Sequence, residues 1–281
     1  MQKIALIVDS ACDLSLEVIK EKNIRLLPLR ISYSHGEYKD KIDISADEIY
    51  GNLEKEVPKT SLPSAEDLEK ILIDLENEGY THVIAVTISS GLSGTFNSIR
   101  LALEEHPNLT SHVFDTKILA MPEGIVALEV ANLIKEGKSF EEIVSELPTI
   151  RKNIIGYFTV NTLEYLKKGG RIGRVAGTIG DMLNLKPIVT VDEEGIYYTV
   201  CKARGRKQSI SKLISFLKDE LKENKCNVWV LHGGALEEAK SVLESLKGLN
   251  NILSLDISQI SPALGVHGGP GLLGLAIQKV C

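Results

Sequence analysis

Positive charge, aromatic rings and paired cysteines are all scarce in this sequence, and each shortage argues against a class of protein. Acidic residues outnumber basic ones by 38 to 32, which leaves a formal net charge of −6. A general nucleic-acid binder carries a basic footprint, so that class does not fit. The four cysteines, Cys12, Cys201, Cys226 and Cys281, show no CxxC spacing. Such scatter suits neither a zinc site nor a disulfide framework, and it points to a reducing compartment. No stretch approaches the roughly 18 consecutive apolar residues of a membrane span. The apolar run in the opening MQKIALIVDS is also too short for a signal peptide. A cytoplasmic, soluble protein is expected. Phosphate-binding signatures are missing too: there is no G-x-x-x-x-G-K-[ST], and no G-x-G-x-x-G follows a strand.

What is present is an ordinary globular composition, 43% hydrophobic and 25% charged over 281 residues, long enough for two α/β domains. In the first half, short apolar runs predict strands at 4–8, 24–33, 82–88 and 111–116, with Pro28 marking an edge or a bend in the second. Helical patterns separate them. Ser45 with Glu48, Ser64 with Asp67 and Ser139 with Glu142 each fit the capping-box spacing. Strand–helix alternation predicts a mainly parallel sheet. The second half opens differently. Residues 186–205 hold two β-rich runs around DEEG, a hairpin signal, and amphipathic helices and further strands follow. The expected fold is therefore α/β with two domains, 1–153 with a mainly parallel sheet and 154–281 with a mixed sheet containing a hairpin.

Three loops rich in glycine and hydroxyl groups stand out: KTSLPS (59–64), SSGLSGTFNS (89–98) and GVHGGPG (265–271). Loops that feed helix N-termini bind anions readily, and in open α/β sheets they gather beyond the carboxyl ends of strands. Helix capping alone explains Ser64 and Thr95 equally well. Ser93 in GLSGT is not a nucleophile elbow, because Thr95 stands where G-x-S-x-G needs its last glycine. The order Ser93, then Asp115 or Asp256, then His267 still suits a hydrolase triad, so a serine hydrolase of lipid esters is one alternative. A phosphate-ligand-binding enzyme is another, suggested by the glycine-rich loops. Two basic clusters, KKGGRIGR (167–174) and KARGRKQ (202–208), interrupt an acidic chain and suit an anion or an acidic partner. Arg171, flanked by glycines, is the guanidinium best placed to approach a carboxylate.

The motifs VDSACDL, KTSLPS, SSGLSGTFNS, LEYLKKGGRIG, KARGRK and VHGGPGLLG occur in an order that resembles the DegV family, from Val8 to Gly274. Several members of that family are fatty acid-binding carrier subunits of the bacterial fatty acid kinase. The resemblance implies a ligand cleft between two α/β domains that holds palmitate or a similar long-chain acid. It implies no catalytic residue, no metal and no cofactor in this chain. The partner it implies is a kinase subunit carrying ATP, and transient membrane contact is left open. Carried over by motif, the carboxylate-binding positions are Thr60, Ser61, Ser93 and His267. Arg171, Asn97 and Gly94 fall near the head-group or the partner surface, and Arg204, Arg206 and Lys207 are candidates for partner docking. Asp9 and Ser10 match the end of the first strand. The chain departs from the pattern at Leu62, where glutamine is common, and in TKILAMPEG after Asp115, which lacks the usual serines. With aromatics at 5%, the pocket is expected to be aliphatic, with Ile125 and Leu128 on its wall.

Overall fold

The computed structural model describes residues 2–178 and 184–280. Its first half runs β1 (Ile4–Asp9), α1 (Leu16–Glu21), β2 (Ile24–Leu27), β3 (Arg30–Tyr33), β4 (Gly36–Lys39), α2 (Ala46–Asn52), β5 (Lys59–Ser61) and α3 (Ala65–Asn77). It continues through β6 (His82–Thr87), α4 (Thr95–Glu104), β7 (Thr110–Asp115), α5 (Met121–Lys135) and α6 (Phe140–Lys152). The second half holds β8 (Ile154–Thr159), α7 (Glu164–Lys168), β9 (Ile188–Val191), β10 (Tyr197–Cys201) and α8 (Arg206–Glu220). After these come β11 (Lys225–Gly233), α9 (Leu236–Leu246), β12 (Ile252–Gln259), α10 (Pro262–Gly268) and β13 (Leu272–Val280).

A four-stranded parallel sheet, in the order β2-β1-β6-β7, forms the first layer. Its central strands are buried on both faces, which is why IALIV and VIAV are unbroken apolar runs. The second sheet is mixed: β10-β9-β8-β13-β11-β12 is antiparallel except for the β11–β12 pair. The expected hairpin is β9–β10, closed through Asp192 and Gly195, whose φ of +75° suits glycine. Helix α5 packs against strands of both sheets and is buried over most of its length from Met121 to Ala131. A helix clamped in that way has no solvent face to make polar, so its sequence is apolar nearly all round.

A third sheet, β4-β3-β5, is small and antiparallel. The single strand expected over 24–33 is two strands in different sheets. Pro28 supplies no ladder N–H, and the next residue leaves the first sheet to donate from its backbone N to Ser10 Oγ at 3.0 Å. The capping boxes at Ser45 and Ser139 are complete. At Ser64 only half forms, because Arg30 and Lys39 hold the Asp67 carboxylate at 2.6 and 2.9 Å. GVHGGPG also differs from a loop, since Pro262–Gly268 is helix α10, capped by Ser261 Oγ. Cys12, Cys201 and Cys226 are free thiols, and Cys281 lies outside the described residues.

Candidate functional site

Strand β5 and helix α10 come from opposite ends of the chain and meet at one hydrogen bond. Thr60 Oγ1 stands 2.7 Å from His267 Nε2. β5 is held by pairing with β3, Ile31 opposite Thr60 and Arg30 opposite Ser61. Helix α10 is held by two buried carboxylates of the first half: Asp13 accepts from the backbone N of Ser261 at 2.8 Å, and Asp40 from that of Ala263 at 2.9 Å. Asp40 also accepts from Ser10 Oγ at 2.6 Å. The end of β1 therefore places the helix that carries His267.

Burial drives the His267 pKa down to about 4, and the nearby Arg171 guanidinium pushes the same way. The imidazole is therefore neutral near pH 7. With its proton on Nε2 it donates to Thr60 Oγ1 and leaves the Thr60 hydroxyl proton for a third atom. With the proton on Nδ1, Thr60 donates to Nε2, and the buried Nδ1 becomes a donor with no partner among the described residues. The ring lies so close to Gly169 that a side chain there would overlap it.

Two adjoining cavities meet at this histidine. A polar chamber, about 450 Å³ counting the space open to solvent, is lined by Thr60, Ser61, Ser93, Arg171 and His267 amid leucines, an isoleucine, an alanine and Tyr197. An apolar chamber of about 600 Å³ lies behind it. Leu119, Tyr197, Leu264 and His267 line both. Residues from Ile118 to Pro122 form the first-half side of the apolar wall, and β8, β9 and α10 supply much of the rest. The hydroxyls and the guanidinium thus ring one end of a greasy cleft. Arg171 is turned back on itself by a 2.9 Å bond from Nη1 to Gly169 O, which keeps its charge beside the histidine.

Ser93 follows β6 in a tight loop. Asp9 holds the loop's start by accepting from the backbone N of Ile88 at 2.8 Å, and Ser89 Oγ donates at 2.8 Å to Gly195 O of the hairpin turn. The Ser93 hydroxyl lies 2.8 Å from Thr95 Oγ1, and among the described residues it makes no hydrogen bond to an imidazole. No triad forms among the described residues, because His267 Nε2 is taken by Thr60, Asp115 is paired with Lys117 at 2.7 Å, and Asp256 is exposed on β12.

Other expected residues lie elsewhere. Asn97 is exposed on α4, and Gly94 caps that helix with Leu62 packed over it; neither lines a chamber. Arg204 and Lys207 are exposed, while Arg206 grips Glu238 through bonds of 3.0 and 3.1 Å from Nε and so ties α8 to α9. Ile125 is buried in the main core and Leu128 packs on that core, so neither is on the pocket wall. Only the start of α5 reaches the cavity. The wall is also not purely aliphatic, since Tyr157, Phe158 and Tyr197 contribute to it.

The overall fold recurs in known proteins. The chain matches the family model described as "Uncharacterised protein, DegV family" over residues 3–280. It belongs to the DegV family. A DegV domain-containing protein of Clostridium perfringens is 52% identical over 279 residues, covering 99% of each chain. The crystal structure of the Bacillus subtilis DegV, described as a fatty acid binding protein, is 30% identical with a TM-score of 0.92 over 100% of both chains. A stearic acid-binding protein from Eubacterium ventriosum is 30% identical, with a TM-score of 0.88 over 99% of this chain and 98% of its own. Among the described residues of this DegV protein, no helix is long and apolar enough to cross a membrane.

Proposed function

We propose that this protein binds one long-chain fatty acid, palmitate or a close relative, and presents its carboxylate to a separate kinase subunit that carries ATP. The observation that carries the reading is the pair of chambers joined at His267, one apolar and one ringed by hydroxyls and a guanidinium. Burial of an acyl chain contributes on the order of 0.8 kcal/mol per methylene, so the apolar chamber supplies most of the affinity. The carboxylate is the difficulty, because a buried charge without partners is very costly. Thr60, Ser61, Ser93 and the neutral His267 supply donors, and Arg171 supplies the counter-charge. Phosphoryl transfer then belongs to the partner, working in the cytoplasm at a carboxylate held in the polar chamber. Arg204 and Lys207 are the exposed cations of KARGRK offered to that partner. The same reading takes the domain boundary between residues 153 and 154.

Solvent extraction of the purified protein followed by mass spectrometry tests the binding. About one equivalent of a long-chain acid is expected. An empty protein that also fails to take up palmitate or oleate overturns the reading.

A further inference from the structure

A cleft of about 680 Å³, counting the space open to solvent, lies between the β3–β4 hairpin and α2, apart from the two chambers. One wall is aromatic. The Tyr33 ring lies 5.2 Å from His35 and 6.1 Å from Tyr38, centroid to centroid, and His35 lies 6.2 Å from Tyr38. Glu48, Asn52 and Glu56 line the same cleft. Tyr33 is 9% exposed, and its buried hydroxyl has no hydrogen-bond partner among the described residues. Burial raises the Tyr33 pKa, and the carboxylates of Glu56 and Glu48 push it further, so both charges act at that hydroxyl.

Those carboxylates are fixed by serines, not by cations. Glu56 accepts from the backbone N of Ser34 at 2.7 Å and from its hydroxyl at 2.9 Å, and Glu48 accepts from the backbone N of Ser45 at 2.8 Å. Each keeps lone pairs free. The cleft therefore combines ring faces, two negative charges and a phenol oxygen in a negative field without a donor. Ring faces and carboxylates attract a cation, and the phenol oxygen calls for one that carries N–H groups. A guanidinium meets all three demands: it is weakly hydrated, stacks on rings and donates from several N–H groups in one plane.

We propose that this cleft binds a guanidinium group, donating an N–H to Tyr33 Oη, stacking on the aromatic wall and balanced by Glu48 and Glu56. Lys55, exposed on the same cleft, brings a charge of the same sign and weakens the site. A carboxylate on the ligand is repelled by the same acids, so agmatine binds better than free arginine. The guanidinium has two sources, a small free cation or an arginine side chain of another protein.

Isothermal titration calorimetry on the full, lipid-loaded chain tests this with agmatine, L-arginine, choline and the blocked peptide acetyl-Gly-Arg-Gly-amide. Saturable one-site binding of agmatine or the peptide with a Kd of about 1 mM or tighter is expected. Tyr33→Phe and Glu56→Gln each weaken it about fivefold or more, and Lys55→Gln tightens it. Glu48→Gln, which leaves the Ser34 contacts intact, replaces Glu56→Gln if the latter disturbs Ser34. Agmatine tighter than the peptide marks a free cation, and the reverse marks a protein arginine. Choline equal to agmatine, no saturable heat, or indifference to Tyr33→Phe and to the acid variants overturns the proposal. Retention of the bound lipid and of the circular dichroism spectrum checks folding in each variant.

Discussion

Thr60 Oγ1 and His267 Nε2 stand 2.7 Å apart, although 207 residues separate them in the chain. The bond joins the small third sheet to helix α10 across the polar chamber. Replacing Thr60 by valine keeps the shape of the side chain and removes the hydroxyl. The loss leaves the imidazole nitrogen unpaired and takes one donor from the ligand, a change of about 1.4 kcal/mol or tenfold in Kd. Displacement of a fluorescent long-chain acid measures it. An unchanged Kd would show that the hydroxyl does not reach the carboxylate.

That pair shows what a string of residues can and cannot reveal. The hydroxyl loops and the histidine stand out in sequence because their small neighbours and polar groups are local features. Their meeting is not local. It depends on Asp13 and Asp40, two carboxylates buried beside β1 that accept from the first turn of α10. VDSACDL carries Asp13 a few residues beyond the apolar strand, while Asp40 lies outside that motif, after β4. The parallel sheet and the hairpin are legible because they follow from periodicity and turn chemistry. The split at Pro28 depends on Ser10 Oγ capturing the next N–H, a partner far away in sequence. The pocket wall is harder still. Ile125 and Tyr197 both belong to the main core, and only the packing of distant elements decides that Tyr197 also faces the chambers while Ile125 does not.

Ser93→Ala separates a holder of charge from a nucleophile. The hydroxyl lies against Thr95 and, among the described residues, is hydrogen-bonded to no imidazole. The alanine variant is expected to weaken fatty acid binding about fivefold, the worth of about 1 kcal/mol for one hydrogen bond. A fluorophosphonate probe is expected to leave the wild-type protein unlabelled. Stoichiometric labelling at Ser93 would restore the hydrolase reading.

Gly169 lies where a side chain would overlap the His267 imidazole, and its backbone conformation, φ −75° and ψ −10°, is open to alanine. Gly169→Ala therefore acts through crowding alone. The ring must turn away from Thr60 or α7 must shift, and overpacking of this kind typically destabilises by about 1–3 kcal/mol. Weaker lipid binding with a lowered Tm is expected. A variant with wild-type affinity would mean that the position of the ring is not what holds the ligand.

Stability should fall as pH rises from 6.5 to 8, and the buried acids near β1 set the sign. Burial raises Asp9 and Asp13 to about 7 and Asp40 to about 6, and it pushes Glu123 well above the carboxylate range, with Lys41 opposing the shift at Asp13, Asp40 and Glu123. Below about 7 the folded protein keeps protons that the unfolded chain, with carboxylates near 4, has already lost. The folded state then binds more protons, so stability decreases as pH rises through the folded value. His267, lowered to about 4, has the opposite sign: its contribution is lost as pH falls from about 6.5 towards 4, and His112 and His232 are lowered too and act likewise. At pH 6.5 the unfolded imidazoles are still half protonated, so their opposing contribution persists to about 7.5; it is common to both proteins and cancels in the difference between wild type and Asp13→Asn. Asp13→Asn removes the charge while its amide oxygen can still accept from Ser261. Thermal unfolding of wild type across pH 6.5–8 should show a falling Tm, and Asp13→Asn should show a shallower fall. Equal slopes would mean that Asp13 ionises freely in the folded protein, and that helix α10 is held by a charged carboxylate.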